Sequence, residues 1–494
     1  MRLPLSFHQL CLAASLPILA RAATCGTTTI NSQEDARAAR TACANITGDL
    51  VLGGGAGGEI VLDGITNIAG SLQNDGDSAI TSVSSSTLVS IGVNATFRGL
   101  GSLQNIAFPN LTTVGTLVQD SDRVANGSVV LEDLPALATT NFQNLANLGE
   151  YRAISLPKWA EDECGPYRGD AQPGRGPSII EVRDVALNSS DGLCILYAET
   201  NVDSITISGY AQPTIRLNQN STQRISITSD GSGSVDFNTA HVGTANITGV
   251  KSLAVRVLTD NTIGSLRVQN STFEYIDQYL RDYHPIRALA IDGNPNLDRF
   301  PYYAPSWFDW TVVPRDSGPI YDSIELRGVP ALYLHPNSTH LTDDTDVDGY
   351  LNNDWYNGYC TTGRACMANM TSVVIEGNVT NDFFEDFIFA FWSNASGRSF
   401  WSDAADKIDI RQHGRVWERF EVSSAAAGFD CARLDRLRGV GLFAGAYSCN
   451  GETAPVTRDA WAAAEAAAAN SSSTVRMFVG WGWAALIAAV VIVL

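Results

Sequence analysis

Three groups of side chains in this 494-residue chain have the types and spacing to do chemistry. Asp344-Thr345-Asp346-Val347-Asp348-Gly349 puts carboxylates at the first, third and fifth positions of a loop and glycine at the sixth. That order turns oxygens toward one hard cation while the glycine allows the sharp turn, so Asp344, Asp346 and Asp348 are candidate calcium ligands. Trp355 occupies the twelfth position, where an EF-hand carries a bidentate glutamate, and a complete EF-hand is excluded. A solvated acidic loop is the alternative. The second group is aromatic: Phe300, Tyr302, Tyr303, Trp307, Phe308 and Trp310, then Trp355, Tyr356 and Tyr359. Exposed rings stack on the C–H faces of sugars, which makes Trp307 and Trp310 candidate glycan-binding residues; packing in a core or cap is the competing role. The third group is acidic. A glycosidase needs two carboxyl groups roughly 5–10 Å apart. Glu161-Asp162-Glu163 and Asp382/Glu385/Asp386 supply acids without a recognisable motif. His241, His284, His335, His340 and His413 are scattered, and no Gly-x-Ser-x-Gly elbow offers a nucleophile. No catalytic residue is assigned, and binding without turnover is the expectation.

The elements that would carry these groups are short. Leu50-Val51-Leu52, Glu59-Ile60-Val61-Leu62, Leu88-Val89-Ser90-Ile91 and Ala95-Thr96-Phe97 are apolar or alternating runs divided by Gly, Asn, Asp and Ser. Ser204-Ile205-Thr206-Ile207, Arg224-Ile225-Ser226-Ile227 and Ser265-Leu266-Arg267-Val268 continue the style, with one face apolar and the other polar. Such runs are too short for helices, and coils of about 20–25 residues with one strand each predict a solenoid. The fold class expected is all-β: a right-handed parallel β-solenoid of irregular leucine-rich coils, capped by disulfides. Asp292-Gly293-Asn294-Pro295-Asn296-Leu297 is similar to the asparagine-bearing turns of leucine-rich coils.

The residues also fix a compartment. Arg2, an apolar run through Leu10, Leu12, Leu16 and Leu19, and Ala20-Arg21-Ala22 have the order of a secretory signal peptide over 1–22. Asn470-Ser471-Ser472-Ser473-Thr474 precedes the apolar stretch Met477 to Leu494, the pattern of a glycosylphosphatidylinositol (GPI) attachment signal with Asn470 or Ser471 as the attachment residue. Glycan acceptors of the form Asn-x-Ser/Thr stand at Asn45, Asn94, Asn110, Asn126, Asn188, Asn220, Asn246, Asn270, Asn337, Asn369, Asn378 and Asn394. Cys11 lies in the signal, and the remaining eight cysteines fall into near neighbours: Cys25/Cys43, Cys164/Cys194, Cys360/Cys366 and Cys431/Cys449. Four local disulfides are the expected scheme among 105 pairings. The whole chain carries a net charge of -20. That balance argues against nucleic acid and anionic headgroups as partners and suits cations or neutral polysaccharide.

Several segments resemble a known family. Cys25 to Cys43, Ile46-Thr47-Gly48-Asp49-Leu50, Leu62 through Leu72, and above all Phe108-Pro109-Asn110-Leu111-Thr112-Thr113-Val114-Gly115 are similar to receptor-L-domain ectodomains. The nearest set is the fungal GPI-anchored cell-wall organisation proteins, the sporulation-specific and extracellular-mutant group. The resemblance is clearest from about residue 25 to 150. It implies a leucine-rich solenoid at the outer face of the plasma membrane and in the wall, non-catalytic, with no cofactor, and with wall polysaccharide or wall proteins as partners. The alternatives are a glycan-binding module and a polysaccharide-active enzyme. The expected division is a first lobe over 23–163, a Gly/Pro-rich loop or linker over 164–177, and a second lobe over 178–455 with an aromatic insert near 300–366. An alanine-rich stalk over 456–470 and a removed propeptide over 471–494 follow. Ser/Thr-rich stalks are usual in that family, and alanine in this one is a departure.

Overall fold

The computed structural model describes residues 23–116, 126–159, 177–185, 201–210, 214–217, 221–237, 241–257, 262–274, 276–280, 286–297, 322–330, 370–384, 387 and 415–456. Sixteen strands build one long parallel sheet, and every strand but the first and last pairs with the strand one coil before and one coil after. It starts at Thr28–Ile30 and ends at Ala446–Cys449; among the described residues these two strands each pair on one side only, so the ladder is an open stack. The first coils have three sides. Gly57–Val61, Ala79–Ser84, Asn105–Ala107 and Thr139–Asn141 form the second side. Ala23–Cys25, Cys43–Ile46, Asn67–Ile68, Ser90–Ile91 and Thr113–Val114 form the third. In the middle, Ser221–Phe237 and His241–Val257 each turn a corner, and their second halves pair with Thr214–Leu217 and Ile276–Leu280. This is the all-β parallel solenoid expected from the alternation.

The core is a set of columns. Leu50, Leu72, Ala95, Val129, Tyr151, Ile180, Ile205, Ile225, Ala245, Leu266, Leu289, Ile324, Val373, Phe420 and Tyr447 lie in register on successive coils, all buried. A second column runs two residues further along, from Phe97 and Leu131 to Val422 and Cys449. Coil length varies without disturbing these columns. Tyr151 is followed in register by Ile180, so the strands before and after 164–177 are neighbours in the one sheet. Ser323–Val329, a strand of the same ladder, falls inside the aromatic stretch 300–366.

Where the long sheet ends, nine of the coils turn through a left-handed residue. Gly99, Asp133, Ser155, Asp184, Gly209, Gly249, Asn270, Gly293 and Gly328 have φ between 47° and 77°. Each stands two residues beyond the second core column. Gly, Asn and Asp tolerate this region best, which is the physical reason the sequence is punctuated by them. A Cβ at Gly249 would sit 2.2 Å from the Ser229 carbonyl oxygen, whereas one at Gly76 (φ 79°) meets nothing within 4 Å. Gly76→Ala is therefore expected to cost about 1 kcal/mol of backbone strain, and Gly249→Ala at least about 2 kcal/mol more. Thermal unfolding of the two variants side by side measures the difference.

Both ends carry a helix that the strand pattern did not announce. Gln33–Ala42 is capped by Ser32, whose Oγ accepts from the Asp35 N–H at 3.1 Å; Asp35 in turn accepts from the Asn31 N–H. Its buried Ala36 and Ala39 close the first coil. At the other end, Ala432–Gly439 lies against the last strand. Cys25–Cys43 and Cys431–Cys449 are bonded, one disulfide at each end of the stack, as paired in the sequence reading. The other two expected pairs, Cys164 with Cys194 and Cys360 with Cys366, lie outside the described residues. The disulfide scheme therefore stands at the two caps, and the pairing of Cys164, Cys194, Cys360 and Cys366 rests on sequence spacing alone. In the turn Asp292 to Leu297, Asn294 is fully buried and donates from Nδ2 to the Phe273 carbonyl of the preceding coil at 3.0 Å.

Candidate functional site: the outward face of the long sheet

Alternation that buries one set of strand positions exposes the set between them, and the parallel register stacks these into three outward columns. From Asn94–Arg98 to Ala446–Cys449, these columns hold seven arginines: Arg98, Arg152, Arg183, Arg224, Arg267, Arg327 and Arg419. They also hold seven carboxylates: Glu132, Glu150, Glu181, Asp292, Glu325, Glu376 and Glu421. The face is balanced in charge although the chain carries -20, so the excess acid lies elsewhere.

The charges are grouped. Near the amino-terminal end, Arg98 pairs with Glu132 at 2.9 Å on the next strand. Arg152 bonds Glu150 at 2.6 Å and reaches Glu181 at 3.5 Å, and Arg183 closes on Glu181 at 2.9 Å. Donating to the Glu150 carboxylate raises the Arg152 pKa further. Near the carboxy-terminal end, Arg327 bridges Glu325 at 2.6 Å and Glu376 at 3.1 Å, and Arg419 bonds Glu421. That bond, with the nearby positive charge, holds the Glu421 carboxyl below its ordinary range. A carboxyl depressed on folding gives stability that is fully present above its unfolded pKa and is lost as pH falls through the lower folded value. Comparing denaturation midpoints at about pH 6 and about pH 3, Arg419→Gln is expected to lose part of this dependence, less than about 1 kcal/mol because both groups are well exposed.

Between the two arrays the face changes character. Ser204, Thr206 and Ser208, then Ser226 and Thr228, then Thr244 and Thr248, then Ser265 and Gln269 fill the outward positions with hydroxyls and amides. Arg224 and Arg267 are the only charges there, both exposed. Parallel register keeps such groups about 4.8 Å apart along the stack, a fixed array of donors and acceptors.

At the corners, side chains fasten coil to coil. Phe108 and Leu111 point inward, and Asn110 between them donates from Nδ2 to the Ser86 carbonyl at 2.6 Å. Phe142-Gln143-Asn144-Leu145 repeats the device, with Asn144 donating to the Pro109 carbonyl at 2.7 Å. Phe108 packs against Phe142 with ring centroids 6.0 Å apart. The second copy is visible as a spaced Phe-x-Asn-Leu repeat, which the sequence reading did not use.

The expected calcium ligands Asp344, Asp346 and Asp348 and the expected glycan-binding Trp307 and Trp310 lie outside the described residues, as do Asn188, Asn220, Asn337, Asn369, Asn394 and both attachment candidates, Asn470 and Ser471. Among the described acceptors, Asn45 and Asn94 each use Oδ1 to hold a neighbouring coil, with Asn67 and Thr66 bonded to Asn45 and Ser128 to Asn94, and Asn126 accepts from the Thr116 N–H ten residues before it. Sequence reading also missed Trp417, 44% exposed on Val416–Ser424, with the Arg415 guanidinium 3.4 Å from its ring centroid. Its signal is a tryptophan between Glu418 and the buried Val416 on an alternating strand, at a position that faces away from the core.

No protein-family model matches the chain, and no solved structure matches it. A stretch of 110 residues is 34% identical to Protein ecm33 of Aspergillus fumigatus. It covers 22% of this chain and 27% of that protein, so the likeness spans about a quarter of the fungal protein's length.

Proposed function

We propose that this is a non-catalytic glycoprotein of the fungal cell surface, held by a glycolipid at the outer face of the plasma membrane and contributing to cell-wall organisation. The observation that carries the reading is the partial identity with Protein ecm33 of Aspergillus fumigatus, a protein of the group that Phe108 to Gly115 and the neighbouring segments resemble. The secretory pattern of 1–22, the acceptors for sugar, and small residues before an apolar stretch at Asn470 support the compartment and the tether. The physical role is that of a rigid spacer. A single stack of coils holds polar groups at fixed intervals along one face, and wall polymers are long chains of hydroxyls that meet such a face repeatedly. Glu421, held below its ordinary range by Arg419, is shifted away from the raised pKa a general acid needs. Treating intact cells with phosphoinositide-specific phospholipase tests the tether. Release of the protein into the medium is expected, and retention would favour a membrane-spanning helix instead.

Trp417 favours a second reading, a module that binds wall glycan. In that case Trp417→Ala weakens co-sedimentation with insoluble wall polysaccharide by about tenfold, the value of one stacked ring. Unchanged sedimentation removes Trp417 from any such role.

A further inference from the structure

We propose that the hydroxyl-rich middle of the outward face is the seat of the chain's own N-linked glycan, attached at Asn246. Asn246 is exposed on the central outward column of His241–Val257, with Ser226 in register on one neighbouring strand and Arg267 on the other. Thr248, which completes the acceptor, is two residues on and shares the face by alternation. Among the described acceptors this placement is particular. Asn270 and Asn378 stand just past strand ends, Asn45, Asn94 and Asn110 have side chains bonded to adjacent coils, and the Asn126 side chain is bonded to Thr116. A sugar on Asn246 has strands on both sides, about 4.8 Å away each, and must lie over them.

The ground it lies on suits a sugar. Ser226, Thr244 and Thr248 give and accept hydrogen bonds, while Arg224 and Arg267 only donate. No carboxylate stands in the outward columns of these strands to engage the two guanidiniums. Hydroxyl oxygens of the first saccharides accept from them. Attachment makes these bonds intramolecular, so weak ones suffice to keep the glycan seated. The seated glycan divides the face, leaving the amino-terminal and carboxy-terminal Arg–Glu arrays as its two open ends.

This rests on the secretory part of the function proposed above and not on the wall role. The test uses the full chain secreted from a yeast host, with occupancy at each acceptor read by peptide mass spectrometry. Native protein is then treated with an endoglycosidase, with denatured protein as reference. The Asn246 glycan is expected to be released about tenfold more slowly than the Asn378 glycan, and the Arg224→Ala, Arg267→Ala double variant is expected to remove most of that gap. A bare Asn246 in a chain glycosylated elsewhere overturns the proposal and leaves secretion intact. So does equal release at Asn246 and Asn378, or a gap unaffected by the double variant. A chain without sugar at any acceptor overturns the secretory reading itself.

Discussion

Replacing Ile225 with aspartate is expected to unfold the middle of the stack while leaving its first coils intact. Ile225 is fully buried, between Ile205 and Ala245 in register. Losing its packing costs about 2–5 kcal/mol. Burying a carboxylate without a partner adds several more. The sum, more than about 5 kcal/mol, is comparable with the whole stability of an ordinary domain. In a solenoid each coil touches only its neighbours, so the damage stays local. Hydrogen exchange should show lost protection from Ile205 through Leu266, with Leu50 to Leu131 still protected. Ile225→Val, at about 1 kcal/mol, serves as the control. Uniform loss of protection would mean that the core unfolds as one cooperative unit and that the nearest-neighbour description is wrong.

The second large effect is at the carboxy-terminal cap. Converting Cys431 and Cys449 to serine together is expected to cost about 2–4 kcal/mol, the usual worth of a native disulfide. Cys449 is fully buried at the end of a core column, so the exchange also places a hydroxyl where a sulfur packed. What the bond secures is a small assembly. Phe420 and Phe443 stack with centroids 3.7 Å apart, Tyr447 lies parallel to both, and Arg438 covers the Tyr447 ring while donating to the Phe443 and Ala454 carbonyls. Burial and its bond to Asp435 push the Tyr447 pKa up, so it remains a donor at 2.6 Å to that carboxylate. Without the disulfide the helix Ala432–Gly439 should open more often, and trypsin should cut after Arg433 and Arg436 before any site in the first coils. Unchanged cleavage would show that packing alone holds the cap.

The fold was legible because its determinants are local. Alternation in Arg224-Ile225-Ser226-Ile227 and its neighbours states which face is buried, and Gly249, Asn270 and Gly293 mark the corners by the backbone they permit. The end disulfides could be read from spacing alone. The helix Gln33–Ala42 was not, although Ser32 followed by Asp35 is an N-cap signal; the polar run toward Cys43 hid it. The outward face was illegible for a different reason. Arg98 meets Glu132, and Arg327 meets Glu376, across coils of unequal length. Which charges face each other depends on register, and register is fixed by the buried columns beneath and not by any interval in the sequence. Hydroxyls of the middle strands look like ordinary polar positions until stacking places them side by side.

The most direct measurement is the growth of cells lacking this gene on wall-binding dye. They are complemented either with the full chain or with a chain ending at 469, which lacks Asn470 and the apolar stretch. Hypersensitivity of the deletion, restored by the full chain and not by the shortened one, is the expected result. Normal growth of the deletion, or equal rescue by both, would contradict a tethered role in wall organisation.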